Sequence, residues 1–198
     1  MPSPTTAFTP LDPDVIAAET GAMKPDKRQH LLDRLTDHVL DNGIGDTGLR
    51  TLGKAIGTSD RMLLYYFPDK AALMTALMQN VAARLTAELG ELAAGPPKPA
   101  QALARELTTL ATGAVFWRYM RFWLQTAAMA AGGDPVCRSV GEAIGRGFLI
   151  WIAERIDGDP AQRDQQAAQL LQLIEGSILL NAVGLGDVVM VATGSGAA

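Results

Sequence analysis

Apolar residues recur at three- and four-residue intervals along most of the chain, which is the period of an amphipathic α-helix. The first such stretch begins after Lys24 and has apolar positions at Leu31, Leu32, Leu35, Val39 and Leu40. The same period predicts further helices over about 49–56, between Ser59 and Pro68, and over about 70–93, 101–112, 114–131, 134–156 and 160–184. The segment VVMV at 188–191 is too short and isolated to indicate a strand. The sequence therefore predicts an all-α fold.

Glycine, proline and capping residues divide the first part of this pattern into short helices. Gly43 ends the first helix and Gly57 the second, while Pro68 ends the third. Ser59 and Asp69 are good N-caps for the third and fourth helices, because their oxygens can accept a free backbone N–H. The positions expected to face the core in the two short helices are Leu52, Ala55, Ile56, Met62, Leu63 and, in part, Tyr66.

Composition indicates a substantial core, in one or two domains, and a separate N-terminal segment. The chain has 198 residues, of which 48% are apolar and 19% charged, enough for a substantial core and a subunit interface. Residues 1–23 hold four of the eleven prolines, so we expect a disordered extension; we expect the same of the last residues, ATGSGAA. No membrane span and no secretory signal are expected, and the single Cys137 fits a reducing cytoplasm.

The net charge of −4 hides an uneven distribution along the chain. Residues 1–23 carry three acids and no base, residues 24–70 eight Lys/Arg against seven Asp/Glu, and the remainder nine bases against eleven acids. The 24–70 segment is the only part without a negative balance, and only narrowly. Charge alone therefore does not establish a nucleic-acid partner.

The three short helices, with a tight turn between the second and third, form a helix-turn-helix pattern. The N-terminal residues of a two-turn helix in the major groove reach base edges, where arginine can bond guanine bidentately. The start of the second helix can reach a base or a phosphate, and the start of the fourth helix a phosphate. The residues predicted to contact DNA are Arg50, Thr51, Ser59, Asp60, Arg61, Met62, Tyr65, Tyr66 and Lys70.

The segment GTSDRMLLYYFPDKAAL, Gly57–Leu73, resembles the recognition-helix signature of TetR-type transcriptional repressors. The residues that match in register are Gly57, Ser59, Leu63, Tyr66, Phe67, Lys70 and Leu73, preceded by Leu49, Leu52 and Ile56. Leu64 departs from the pattern, since a tyrosine usually stands there. The acidic extension also departs from the basic arm that family members often carry. The resemblance covers about residues 24–78.

This resemblance implies a helix-turn-helix DNA-binding domain over 24–70 and a larger helical ligand-binding and dimerisation domain over 71–198. The segment FWRYMRFWLQTAAMA, at 116–130, supplies aromatic side chains and methionines for a pocket that takes a small apolar or aromatic effector. The candidate ligand-binding residues are Phe116, Trp117, Met120, Trp123, Met129 and Trp151. Plain core packing explains the same cluster, and the sequence leaves both interpretations open. Arg118 and Arg121 are expected to point to solvent or to neighbouring acids.

The last two predicted helices carry apolar stripes that exceed what one small domain must bury. One stripe runs from Val140 to Ile156 and the other from Leu170 to Leu179, and Gly141 and Gly145 would let two backbones approach closely. These helices therefore predict a homodimer, whose two recognition helices would read a near-palindromic operator. A ligand that favours the spacing unsuited to DNA would release the repressor.

Two other classes of protein compete with a regulator. An enzyme has little support: His30 and His38 lie eight apart without partner cysteines, Cys137 has no histidine nearby in sequence, and the glycines form no phosphate loop. No catalytic residue, metal or cofactor is therefore predicted. A helical protein-interaction scaffold would explain the apolar stripes but not Arg50, Arg61 and the Phe67-x-x-Lys70 spacing. Steep salt dependence of binding would distinguish DNA recognition from apolar association.

Overall fold

The computed structural model describes residues 25–44, 48–92 and 95–194, and it confirms the all-α prediction. Its helices are α1 (Pro25–Asn42), α2 (Leu49–Ala55), α3 (Asp60–Tyr66), α4 (Lys70–Leu92), α5 (Ala100–Thr112), α6 (Ala114–Ala131), α7 (Pro135–Ala153), α8 (Pro160–Ala182) and α9 (Gly186–Thr193). The predicted N-terminal extension, residues 1–23, lies outside the described residues.

Local sequence signals begin several of these helices. The Ser59 hydroxyl accepts the Met62 N–H at 3.1 Å, and an Asp69 carboxylate oxygen accepts the Ala72 N–H at 2.7 Å, so both predicted caps are confirmed. Asp134 and Asp159 cap α7 and α8 in the same way, each followed by a proline in the first helical turn. Proline is tolerated there because its missing N–H would have no helical partner.

The long helix α4 joins two packed groups of helices. It packs on α1 at one side and on α7 at the other, while α2 packs on α3. In the larger group α5 packs on α8 and α6, α7 packs on α6 and α8, and α9 lies on α8. The boundary proposed at 70/71 coincides with the first residue of α4. Because α4 contacts both groups, the division into domains at that point stays a prediction.

One apolar core extends through both groups of helices. In the N-terminal part it includes Leu32, Leu35, Val39, Leu52, Ile56, Leu63 and Phe67, and in the C-terminal part Leu103, Phe116, Phe122, Ile152, Ile156, Leu170, Ile174 and Ile178. The predicted stripes of α7 and α8 are thus partly buried within a single chain. Val140, Ile144, Phe148 and Trp151 stay half-buried, and Leu179 is 55% exposed.

Three expectations about the short elements are wrong. Ala55 is exposed, because α2 turns Leu52 and Gly53 inward instead. Met62 is 43% exposed, because successive helical positions are rotated by about 100° and its neighbour Leu63 takes the inward position. The chain from Gly186 to Thr193 forms α9, ended by Gly194 in the left-handed conformation (φ +67°), so Ala192 and Thr193 are ordered. Residues 195–198 lie outside the described part.

The helix predicted over 134–156 ends at Ala153, three residues early. The backbone after it leaves the helix to pair with the segment before α5. The Lys98 N–H donates to the Arg155 carbonyl at 2.9 Å, and the Asp157 N–H donates to the Lys98 carbonyl at 2.8 Å. This pairing compensates for helical hydrogen bonds that the chain gives up there.

Candidate nucleic-acid interface

Two glycines allow α2 and α3 to meet at a tight turn. A Cβ atom on Gly53 would lie 3.0 Å from the Thr58 carbonyl oxygen and 3.1 Å from the Asp60 nitrogen, both backbone atoms. Gly57 adopts φ +67°, a region that side-chain-bearing residues rarely occupy. The Thr58 N–H donates to the Gly53 carbonyl at 2.8 Å and closes the turn. This close approach holds α3 in one orientation relative to α2.

Helix α3 is anchored by its inner face. Leu63 is fully buried and Phe67, the residue that follows the helix, is 1% exposed. The Arg28 guanidinium of α1 lies 4.7 Å from the centre of the Phe67 ring, so a cation–π contact joins α1 to the end of α3. The outer face carries Arg61, Met62 and Tyr65, all exposed. A short helix held from inside therefore presents charged, apolar and aromatic groups outward.

The residues predicted to contact DNA lie mostly at the surface. The exposed ones are Arg50, Thr51, Ser59, Asp60, Arg61, Met62, Tyr65 and Lys70. Tyr66 is half-buried, and its ring meets that of Tyr65 edge to face with 5.0 Å between the centroids. Their positions at the starts of α2, α3 and α4 and along α3 are those that a helix-turn-helix uses. Their contact with DNA stays a prediction.

Two of these residues already have structural roles in α3. Ser59 is the N-cap, and an Asp60 carboxylate oxygen accepts the Arg61 N–H at 2.9 Å. A carboxylate in the first helical turn is also favoured by the helix dipole. Both side chains therefore stabilise the start of the helix whether or not DNA is present.

Lys70 lies where α4 begins and close to the start of α7. The hydrogen bond from the Cys137 backbone N–H is the main cause that lowers the pKa of Asp134, and the charge of Lys70 adds a smaller contribution. Lys70 itself is exposed. The predicted phosphate ligand is thus near an acidic group of the larger helical group.

Sequence reasoning left two exposed side chains of this surface out of the predicted set. Lys54 lies in the last turn of α2, and its positive charge within the helix-turn-helix pattern could have identified it as a candidate DNA contact. Leu64 is 44% exposed on α3, at the position where the TetR-type pattern has a tyrosine. An exposed leucine there adds apolar surface where the pattern would supply a hydroxyl.

The predicted effector residues line the packed interior of α6 and its neighbours. Phe116 and Met120 are buried, at 3% and 8% exposure, and Trp117, Trp123, Met129 and Trp151 are half-buried against the core. Trp151 stacks on Phe148 with 5.4 Å between ring centres, and the Arg155 guanidinium lies 3.7 Å from the centre of the Trp151 ring. Core packing therefore accounts for Phe116 and Met120, and their role as ligand contacts stays a prediction.

A carboxylate that the sequence did not single out lies beside one of these tryptophans. The Trp123 indole N–H donates to Glu175 of α8 at 2.8 Å. Burial raises the pKa of the Glu175 carboxyl, and the hydrogen bond from Trp123 offsets part of that rise. The Trp123 ring also lies 3.9 Å from the place a Cβ would take on Gly141 of α7. Three helices thus meet around one indole.

A cleft of about 500 Å³ lies between the end of α7 and the start of α8. It is lined by Leu149, Ile150, Ala153, Glu154, Pro160, Arg163, Asp164 and Ala167. None of the predicted effector residues belongs to this lining. Its volume is within the range of small-molecule sites, and its rim carries charges of both signs.

The remaining candidate chemistry is limited. Cys137 is buried, and burial followed by the nearby Asp134 raises the pKa of its thiol to about 11, which makes it a weak nucleophile at neutral pH. Within the described residues no group of three or more His, Cys, Asp or Glu side chains is placed to hold a metal ion. None of the helices in the same residues has the length and apolarity needed to span a bilayer.

The fold matches those of solved transcriptional regulators. A regulator from Rhodococcus sp. Rha1 superposes with a TM-score of 0.66 at 19% identity, covering 85% of this chain and 94% of that chain. A TetR-family regulator from Rhodococcus sp. gives 0.61 at 17% identity, covering 85% and 95%. The multidrug binding protein EbrR, complexed with imidazole, gives 0.58 at 21% identity, covering 86% and 94%.

These proteins are similar to this chain in structure but only distantly similar in sequence. No family model matches the sequence, and no curated protein matches it significantly. The similar structures confirm the TetR-type resemblance at the level of fold. A shared fold does not determine function, which depends on the surface and the packing of this chain.

Proposed function

We propose that this protein is a dimeric, ligand-responsive DNA-binding transcriptional regulator that acts as a repressor in the cytoplasm. The observation that supports this most is the outward face of α3, where Arg61, Met62 and Tyr65 are exposed over the buried Leu63. An apolar residue beside an arginine at the start of such a helix suits base edges, since arginine bonds guanine and apolar groups contact the thymine methyl.

The proposed DNA contacts divide into base and backbone contacts. Asp60, Arg61 and Met62 would read base edges, with Tyr65 and Tyr66 one turn further along α3. Asp60 could accept a hydrogen bond from cytosine. Phosphates would be bound by the residues at the helix starts: Arg50, Thr51, Ser59 and Lys70. Arg50 and Thr51 could instead bind an adjacent base.

The proposed dimer forms through α7 and α8. Several apolar side chains of these helices and of the following segment stay at the surface of one chain: Ile150, Leu179, Val183, Leu185, Val188, Met190 and Val191 are at least 43% exposed. A Cβ on Gly145 would meet nothing within 4 Å in the chain, so its face is open to a second copy. A symmetric dimer would place two recognition helices one turn of DNA, about 34 Å, or a multiple of it apart.

The proposed effector is a small apolar or aromatic molecule bound among α6, α7 and α8. This proposal is supported by the partial exposure of four candidate side chains, which are only half-buried in one chain: Trp117, Trp123, Met129 and Trp151. The similar fold of EbrR, a multidrug binding protein, is in line with such a role. Binding would favour the spacing of recognition helices that does not fit DNA and so release the operator.

Selection of purified protein against a random duplex DNA library tests the proposal. We expect a near-palindromic consensus, and we expect Arg61→Ala to relax the preference at specific positions, with about 1–3 kcal/mol of discrimination lost at each. Arg105→Ala removes the same charge from an exposed site on α5 and is the matched control. Absence of any enriched sequence at low salt would contradict the proposal.

The alternative is a helical protein-interaction scaffold without DNA binding, which the exposed apolar residues of α8 and α9 favour. The dependence of binding on salt separates the two functions. Release of counterions makes DNA affinity fall steeply with salt, with a logarithmic slope of about 0.9 per phosphate contacted. Association through apolar surfaces would keep or gain affinity as salt rises.

A further inference from the structure

Helix α1 ends against α6. An α-helix leaves its last four carbonyl groups without partners inside the helix. In α1 the Val39 carbonyl accepts the Gly43 N–H at 2.8 Å. The carbonyls of Leu40 and Asp41 instead accept hydrogen bonds from Nη2 of Arg121 on α6, at 2.6 Å and 2.7 Å. A side chain from the larger helical group therefore completes the end of α1.

The charge of Arg121 suits this position. The carbonyl end of a helix carries partial negative charge and is stabilised by a cation. The last turn of α1 has no basic residue of its own. Arg121 is half-buried, so water and salt screen the contact less than they would at the open surface. The expectation that Arg121 would point to solvent or to an acid is therefore wrong, because its Nη2 donates to two backbone carbonyls.

One turn further along α6, Gln125 holds the bend that follows α1. Its Oε1 accepts the N–H of Ile44 at 2.8 Å, and the Ile44 side chain is 2% exposed. Gly43 bends the chain with φ +83°, and a Cβ there would lie 2.7 Å from Gln125 Nε2. Arg121 and Gln125 are four residues apart and so share one face of α6.

We propose that Arg121 and Gln125 are positioning residues that clamp the end of α1 and thereby set the position of the helix-turn-helix; we call them the α1 clamp. The inference rests on the proposed DNA-binding function. Displacement of α6 would move the end of α1, and Arg28 of α1 stacks on Phe67 at the end of α3. The clamp thus connects the larger helical group to α3 through the length of α1.

The clamp predicts a specific pattern of effects on DNA binding. Neither residue lies on α2 or α3, so loss of the clamp should weaken binding to all sequences alike. We expect Arg121→Ala to reduce operator affinity by about tenfold, the scale of losing charge-assisted hydrogen bonds. Base preference and the salt slope should stay as in the wild type, whereas Arg61→Ala would change the preference.

The experiment combines amide hydrogen exchange of the full chain with binding to a duplex chosen by the library selection. Arg121→Ala should speed amide exchange at 40–44 and weaken binding. Gln125→Ala should speed exchange mainly at Ile44, whose N–H donates to Gln125, and should weaken binding to a smaller extent. Arg121→Lys should lie between wild type and Arg121→Ala. The control is Arg118→Ala, an exposed arginine of the same helix that contacts Glu88 instead. It should stay within about twofold of the wild type.

The outcomes separate the two proposals. If the wild type selects DNA but Arg121→Ala binds equally well, or its exchange at 40–44 is unchanged, the clamp is overturned and the proposed function stands. If the wild type selects no DNA, the proposed function fails, and the positioning role fails with it even where exchange is faster. Should Arg121→Ala not fold, Arg121→Lys and Gln125→Ala decide by the same two measurements.

Discussion

At the scale of single residues, Glu175 of α8 is a partly buried carboxyl. Its carboxylate accepts a hydrogen bond from the indole N–H of Trp123, a candidate effector-binding residue. Burial raises the pKa of the Glu175 carboxyl, with partial compensation from the Trp123 indole. A carboxyl with a raised pKa in the folded state binds its proton more tightly there than in the unfolded chain. Its ionisation therefore opposes folding as the pH rises.

We expect Glu175→Gln to remove this pH dependence. In the wild type the free energy of unfolding should fall as the pH rises from the ordinary value of 4.5 through the raised pKa. Glutamine still accepts the indole N–H and has no charge to desolvate, so the variant should be more stable at pH 8 by about 1 kcal/mol. Urea unfolding at pH 5 and pH 8 measures this.

Glu154→Gln, an exposed glutamate after α7, is the matched control and should leave the pH dependence as it is. Equal stabilities of wild type and Glu175→Gln at both pH values would contradict the expected cost of ionising Glu175.

At the scale of elements, the close contact of α2 with the turn before α3 determines the orientation of α3. The contact depends on Gly53, where a Cβ would lie 3.0 Å from a backbone oxygen. Backbone atoms cannot rotate away as a side chain can, so α2 and α3 would have to separate. Ser59 then starts α3 at a defined residue by capping it.

We expect Gly53→Ala to destabilise the protein by about 1–3 kcal/mol, the usual cost of forcing extra volume into a packed contact. Gly90→Ala in α4 is the control, since a Cβ there would meet nothing within 4 Å. Because alanine favours helix over glycine, the control should be stabilised by about 0.5–1 kcal/mol. Thermal unfolding of both variants measures the difference, and a Gly53→Ala protein as stable as the wild type would contradict the packing argument.

At the scale of the whole molecule, a polar network joins α1 to α4. Arg84 of α4 bonds the carboxylates of Asp33 and Asp37, and Asn80 bonds Asp33 and Thr36. Burial raises the pKa of Asp33, but the hydrogen bonds from Arg84, Asn80 and Gln29 outweigh it and leave the pKa lowered. Helix α1 is therefore held to α4 by this network as well as to α6 by the proposed α1 clamp.

We expect this network to weaken in acid. Because the folded-state pKa of Asp33 is lowered, its contribution is present above the ordinary value of 3.8 and is lost as the pH falls through the folded-state pKa. Asp33→Asn should lower the free energy of unfolding by about 0.2–1 kcal/mol at pH 7, a range that allows for screening of a partly exposed pair. Below the folded-state pKa of Asp33 the substitution should have no effect.

The effect is measured by the unfolding free energies of wild type and Asp33→Asn, determined from pH 7 down to below the folded-state pKa of Asp33. The control is Asp157→Asn, an exposed residue between α7 and α8 that lies outside the network. A difference between wild type and Asp33→Asn that stays constant with pH would show that the Asp33 carboxylate contributes no charge-dependent stability.

The sequence by itself determined the features that depend on near neighbours. Helix periodicity, the caps at Ser59 and Asp69 and the turn at Gly57 all follow from interactions within a few residues, so the all-α fold and the helix-turn-helix pattern were readable from the chain. The residues proposed to contact DNA came from the same local pattern. Of these residues, Arg61, Met62 and Tyr65 are exposed because α3 has a single inward face, at Leu63.

Only the tertiary structure decided which partner each longer side chain meets. Arg121 reaches carbonyls 80 and 81 residues away, and Trp123 reaches Glu175 across 52 residues. Such pairs depend on how helices pack, and helical periodicity states which face is apolar without stating which helix covers it. For the same reason the sequence could not separate Phe116, which is buried, from apolar residues such as Val191, which stay exposed.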